Sequence, residues 1–169
     1  QAFCEAMGFE VPELSDAAFN EVSDEFLGTV YSKLNLEISK DSMHSITLPS
    51  TPSKIQMTVD MAKKFDTLYN DEFLSQKDKY SYYLDGNHAL TEIASNSKGK
   101  GTLLIIKDSY SHCFAPLTLG DYQKVYLVDF RYFNMPISQF IMQYRVTDIL
   151  VLYNAVTFAT DTHTGAFMR

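Results

Sequence analysis

The chain has 169 residues, 46% hydrophobic and 21% charged, a composition that suits one ordinary globular domain and excludes disordered or fibrous chains. Its net charge of -7 is spread along the sequence, which favours solubility and argues against a nucleic-acid partner. No apolar run approaches the roughly 18 residues needed to span a bilayer, so no membrane insertion is expected of this chain.

Gln1 to Gly8 reads as the last two turns of a helix, with Phe3 and Met7 on one face and Gly8 as a left-handed stop. No Ser, Thr, Asp or Asn precedes them as a cap, so the helix is expected to begin upstream. Residues 9–35 are mixed, with Pro12 and a Ser15-Asp16 cap, and fit short helices joined by turns. Ser45 to Leu48 and Lys54 to Val59 alternate polar and apolar residues around a Pro-rich turn, which predicts two strands with one exposed face. Helical spacing returns through Phe73, Leu74, Tyr80 and Leu84, and Asp85-Gly86-Asn87 breaks it.

The last third carries three continuous apolar runs, Leu103 to Ile106, Val125 to Val128 and Ile149 to Tyr153. Unbroken runs imply strands covered on both faces, and the helix-length segments between them (110–120 and 136–145) complete a parallel α/β pattern. Ligands in such sheets bind beyond the carboxyl ends of strands.

At the first of those ends lies Lys107-Asp108-Ser109-Tyr110. A serine in a strand-to-helix turn projects its hydroxyl above the sheet beside backbone N–H groups, which suits a nucleophile attacking an acyl carbon; Asp and Ser are equally the commonest helix caps. After the third run, Asn154 has an amide able to donate to an oxyanion or to cap the chain. After the second, Arg131 suits an anionic substrate group, a carboxylate to be held in place, or an ordinary surface ion pair.

A serine after the first strand and an asparagine after the third resemble the SGNH-hydrolase superfamily of esterases and acyltransferases. More specifically, Tyr82-Tyr83-Leu84-Asp85-Gly86-Asn87-His88, the run from Leu103 to Tyr110, Val128 to Phe133, and Asp148 to Asn154 with Thr157-Phe158 resemble the bacterial DHHW family. Ala2 to Phe9 and the stretch from Val22 to Ser32 fit it too. The resemblance implies an SGNH/flavodoxin-like α/β fold, a parallel sheet flanked by helices with a β-rich insertion. It makes Ser109 the nucleophile and Asn154 the oxyanion asparagine, with the backbone N–H of Tyr110 or Ser109 as a second donor.

The sequence departs from the pattern in two places: Lys107 stands where a glycine precedes Asp-Ser, and Arg131 and Tyr132 stand near an absent glycine after the second strand. The Asp-His-His-Trp signature that would supply acid and base is missing, and the chain has no Trp. The expectation is one N-terminally truncated SGNH-like domain over 1–169, divided into a helical start (1–35), a β-rich elaboration plus helix (36–95) and an α/β core (96–160). An extracellular or cell-surface location follows from the resemblance alone.

A base within the chain would come from His163, two residues after Asp161, or from His88 if its turn folds over the crevice. His112, on the same predicted helix as Ser109, suits packing or surface, and nothing near His44 in sequence suggests ligation. Cys4 and Cys113 are too few for a disulfide framework, lack zinc-site spacing and are expected to pack as small apolar side chains. No metal is expected. No cofactor is expected either, since no GxGxxG or P-loop follows a strand and Lys98-Gly99-Lys100-Gly101 precedes one.

Two functions compete. One is an esterase or O-acyltransferase acting on an acyl ester of an extracellular glycan. The other is a non-catalytic carbohydrate-binding module, suggested by 11 Tyr and 12 Phe, and it requires exposure of Tyr82, Tyr83 and Tyr132 for sugar stacking.

Overall fold

Consecutive apolar residues can all be buried only in a strand with cover on both faces, and this sets the centre of the fold. The computed structural model describes residues 1–28, 39–99, 101–160 and 162. In chain order the elements are α1 (Ala2–Met7), β1 (Ala18–Phe26), β2 (Asp41–Thr47), β3 (Ile55–Val59), β4 (Lys63–Phe65), β5 (Leu90–Ser95), β6 (Thr102–Lys107), β7 (Lys124–Val128), α2 (Ile137–Tyr144), β8 (Asp148–Leu152) and α3 (Ala155–Thr160), with short 3-10 turns between them.

β6 and β7 lie inside a six-stranded sheet of order β4-β3-β5-β7-β6-β8. Leu103, Ile105, Val125 and Leu127 point to one face, against Leu119 and Tyr122 and partly buried Phe3 and Phe9. Leu104, Ile106, Tyr126 and Val128 point to the other, under Ile137 and Phe140 of α2. β1 and β2 form a separate antiparallel ribbon, joined to the rest through Met43 packed with Tyr82 and Tyr83. No helix among the described residues is long and apolar enough to cross a membrane.

This corrects the expected SGNH/flavodoxin-like parallel sheet flanked by helices. Only the pairings of β6 with β7 and with β8 are parallel; β3, β4 and β5 run antiparallel to their neighbours, so among the described residues strands outweigh helices and form a mixed sheet and an antiparallel ribbon. The helix expected over 110–120 is two 3-10 turns, Ser109–Ser111 and Ala115–Thr118. Pro116 has no N–H to give an α-helix, and the hydroxyls of Ser111 and Thr118 donate to the carbonyls of Asp108 and Ala115, which favours tight turns. The helix expected between Asp71 and Leu84 is likewise two 3-10 turns, Asp71–Ser75 and Lys79–Tyr82.

Where short helices were expected over 9–35, Ala18–Phe26 is a strand paired with β2; residues 29–38 lie outside the described ones. Its burial has no regular alternation, so the partner strand decides its conformation. The two predicted strands around the Pro-rich turn both form but join different sheets. The third apolar run, expected to be covered on both faces, is β8 at the sheet edge, with Ile149 and Val151 exposed. The helix over 136–145 is present as α2, and α1 ends at Gly8 in the left-handed region, φ +70°.

Phe140 is completely buried while Met142, on the same helix, is exposed. Phe140→Ala should therefore destabilise the fold by about 3–5 kcal/mol. Met142→Ala should change stability by no more than about 0.5 kcal/mol. Urea denaturation midpoints of the two variants check the contrast.

Candidate active site

Strand direction decides which residues meet. β5 is antiparallel to β7, with Leu90 opposite Val128, and the Asp129 N–H donates to the Ala89 carbonyl at 3.2 Å. The turn entering β5 therefore sits at the carboxyl edge of β6, β7 and β8. That edge collects Asn87 and His88 with Lys107-Asp108-Ser109, Asp129-Phe130-Arg131 and Asn154.

Asp108 is the clamp of this edge. Its buried carboxylate accepts the Tyr110 N–H at 2.9 Å, the Asn154 N–H at 3.0 Å and the Asn154 amide at 2.6 Å. It therefore starts the Ser109–Ser111 turn and ties the ends of β6 and β8 together. The Tyr80 hydroxyl, kept protonated by burial that raises its pKa, donates to the Ser109 carbonyl at 3.1 Å. Ser109 is thereby held on the wall of a cavity of about 490 Å³ that it shares with Asn87, His112, Tyr80, Ser81 and Lys79. Its hydroxyl makes no hydrogen bond among the described residues, and its N–H, at the first position of the turn, is also unpartnered there.

Beneath lies a buried ammonium. Lys107 Nζ is 2.8 Å from His112 Nε2, 3.4 Å from Asn87 Oδ1 and 3.7 Å from Asp129 Oδ2. Burial lowers its pKa from 10.5 to about 8, opposed by the Asp129 carboxylate. Arg131 donates Nε and Nη2 to the two oxygens of Asp129 at 2.8 and 2.5 Å, and this bond raises its own pKa. Burial, with Lys107 beside it, pushes His112 down to about 2, so this imidazole is neutral near neutral pH, and its acceptor nitrogen Nε2 is already occupied by Lys107.

The sequence-derived candidates separate accordingly. Ser109 is on the cavity wall. Asn154 reaches the site edge, but its amide hydrogens are engaged by Asp108 and by Thr157 Oγ1 at 2.5 Å. The Tyr110 N–H is likewise engaged by Asp108. Arg131 holds the buried carboxylate of Asp129 in place. His88 has Nδ1 3.0 Å from Asp60 Oδ2 and Nε2 3.0 Å from the Asp85 carbonyl, and does not line the Ser109 cavity. Asp161 and His163 lie outside the described residues.

Tyr82 and Tyr83 are buried, stacked on Tyr69 and hydrogen-bonded to the His44 carbonyl respectively, which removes them as sugar platforms; Tyr132 is exposed. Cys4 is half-buried and Cys113 is exposed, so the packed position expected of both does not hold for Cys113.

The residues that sequence reasoning passed over are Lys107, His112 and Asn87. Lys107 stood out in the sequence only as a departure from the family pattern. Asn87 was not, because its place depends on the unrecognised antiparallel β5.

No family model and no curated protein matches the chain. Among solved structures it is similar to a DHHW family protein from Eubacterium siraeum, with a TM-score of 0.82 at 23% identity, over 98% of this chain and 56% of that one. It is also similar to PatB1 of Bacillus cereus with a sulfonyl adduct, TM-score 0.68 at 14% identity, over 88% of this chain and 50% of that one. A second PatB1 structure gives 0.66 at 13% identity, with 88% and 52% covered. The chain has the fold these proteins share, and it spans about half of their length.

The depressed lysine makes a pH prediction. Between about pH 8 and 10.5 the folded chain releases the Lys107 proton while the unfolded chain retains it, so this group's contribution becomes more favourable as pH rises through that window. Carbon-13 NMR should find the Lys107 side chain titrating near pH 8. The stability of the wild type relative to Lys107→Met should increase from pH 8 to 10.5.

Proposed function

We propose that the chain is the serine-bearing part of a DHHW-like esterase or O-acyltransferase, with Ser109 as nucleophile and an O-acyl group of an extracellular glycan as substrate. The observation that carries this reading is the placement of Ser109. It stands after a parallel strand, in a turn clamped by a buried carboxylate, with an unpartnered hydroxyl on a cavity wall. The likeness to a DHHW family protein supports the family, and the sulfonyl adduct of PatB1 supports nucleophilic chemistry, since a sulfonylating reagent leaves such a group on a nucleophile.

In the proposed reaction Ser109 Oγ bonds to the ester carbonyl carbon as a general base takes its proton. The tetrahedral intermediate then collapses, the carbon–oxygen bond to the alcohol breaks, and the alkoxide receives that proton. Water or an acceptor hydroxyl next attacks the acyl-serine and restores Ser109. The Ser109 N–H donates to the developing oxyanion. Asn154 works through Asp108, as the brace that keeps the turn in shape.

Neither described imidazole near the site is free to be the base, His112 being held by Lys107 and His88 by Asp60 and Asp85. The base is proposed to come from an Asp-His pair elsewhere in a longer protein, as the DHHW resemblance implies, with Asp161 and His163 as the rival pair inside this chain. The carbohydrate-module reading is weaker with Tyr82 and Tyr83 buried.

In the protein that carries this chain, Ser109→Ala should reduce hydrolysis of p-nitrophenyl acetate by about a thousand-fold or more and abolish labelling by a fluorophosphonate. Unchanged turnover in the variant overturns the reading. Rapid Ser109-dependent turnover by residues 1–169 alone would assign the base to Asp161 and His163.

A further inference from the structure

The cavity that Ser109 lines has two other polar side chains secured by a single anchor. Lys107 can only donate, so the atoms it touches on its neighbours are acceptors. Its bond to His112 Nε2 leaves the ring hydrogen of that neutral imidazole on Nδ1. His112 is 1% exposed, and its Nδ1 has no hydrogen-bond partner among the described residues. A buried donor without an acceptor keeps an uncompensated desolvation penalty that a bound acceptor would remove. The contact with Asn87 Oδ1 turns that side chain the same way: its oxygen is held by Lys107, and its amide hydrogens have no acceptor among the described residues.

The backbone that presents Asn87 is strained. Leu84, Asp85 and Gly86 are all left-handed, with φ of +59°, +60° and +88°. Only the glycine adopts this region without cost. The turn is kept by Asp85, which accepts from the Asn70 amide at 2.6 Å and lies 3.3 Å from both Lys63 Nζ and His88 Nε2. Strain maintained by several contacts, directly before an amide on the cavity wall, fits a group held in position for a ligand.

The donors anticipated from sequence are largely engaged elsewhere, Asn154 and the Tyr110 N–H both by Asp108, which leaves the Ser109 N–H alone. An acyl oxygen that becomes an oxyanion needs more than one fixed donor to be stabilised strongly.

We propose that the Asn87 amide and His112 Nδ1–H receive the acyl oxygen of the ester at Ser109, with Lys107 as the positioning residue that orients both; this rests on the acyl-transfer reading above. The ligand feature recognised is a carbonyl or carboxylate oxygen. Asn87 and His112 contact it, whereas Lys107 acts only through them.

Two substitutions separate donation from structure. Asn87→Asp keeps an oxygen for Lys107 and loses the amide donor. His112→Gln keeps an acceptor near the Nε2 position and loses the Nδ1 donor. In the protein that carries this chain, each should lower kcat for p-nitrophenyl acetate by about a hundred-fold with KM changed less than about two-fold, the scale of one oxyanion donor. A kcat within about three-fold of wild type in both overturns the proposal.

A second readout does not need turnover. Nitrogen-15 NMR of Ser109→Ala with acetate as probe should show saturable shifts of the Asn87 amide and the His112 Nδ1–H. Lys107→Met should lose the Nδ1–H tautomer signature of His112, a change that a merely structural lysine would not produce. No acetate-dependent shift at either group overturns the donor assignment whatever the activity. Acetate shifts in a protein without Ser109-dependent turnover leave the donor site standing and remove the acyl-transfer reading.

Discussion

A lysine ammonium with almost no contact with water sits at the end of the most buried strand, and the architecture of the site follows from the need to satisfy it. An isolated buried cation would be strongly unfavourable, so acceptors must converge on it. Three do, from three parts of the chain: the turn before β5, the 3-10 segment after Ser109, and the end of β7. Two cations, Lys107 and Arg131, thus share the buried carboxylate of Asp129, while the buried carboxylate of Asp108 is satisfied by N–H donors of Tyr110 and Asn154.

The same edge explains why one turn can be both rigid and exposed to a cavity. Asp108 gathers donors from its own turn and from the end of β8, so the Ser109 backbone is fixed from two strands at once, and Tyr80 fixes its carbonyl from a third direction. With the backbone secured in this way, the serine hydroxyl remains available. The arrangement depends on the antiparallel entry of β5, which places a strained turn beside the ends of parallel strands. A sheet parallel throughout would put the entry of that strand at the opposite edge.

The central strands were legible because a run such as Leu103 to Ile106 has no polar position to turn toward water. α2 was legible from its place, a segment of helical length between two apolar runs. Segments whose conformation comes from a partner were not. β1 has no clean alternation and becomes a strand against β2, and the residues after Ser109 have the length of a helix while Pro116 and two hydroxyls turn them into 3-10 structure. The site divides in the same way. Ser109 was found from its place after a buried strand; His112 and Asn87 acquire their places from a lysine that sequence marked only as a departure from a family pattern.

By itself the sequence determined the buried centre of the sheet and the turn that holds Ser109, because local apolar runs and capping residues act over a few positions. Only the tertiary structure decided the direction of β5, the edge position of β8 and the gathering of Asn87, His112, Asp129 and Arg131 around Lys107. Those outcomes depend on pairing and on the solvation of charge between segments distant in the chain, and neither interaction leaves a local periodicity to read.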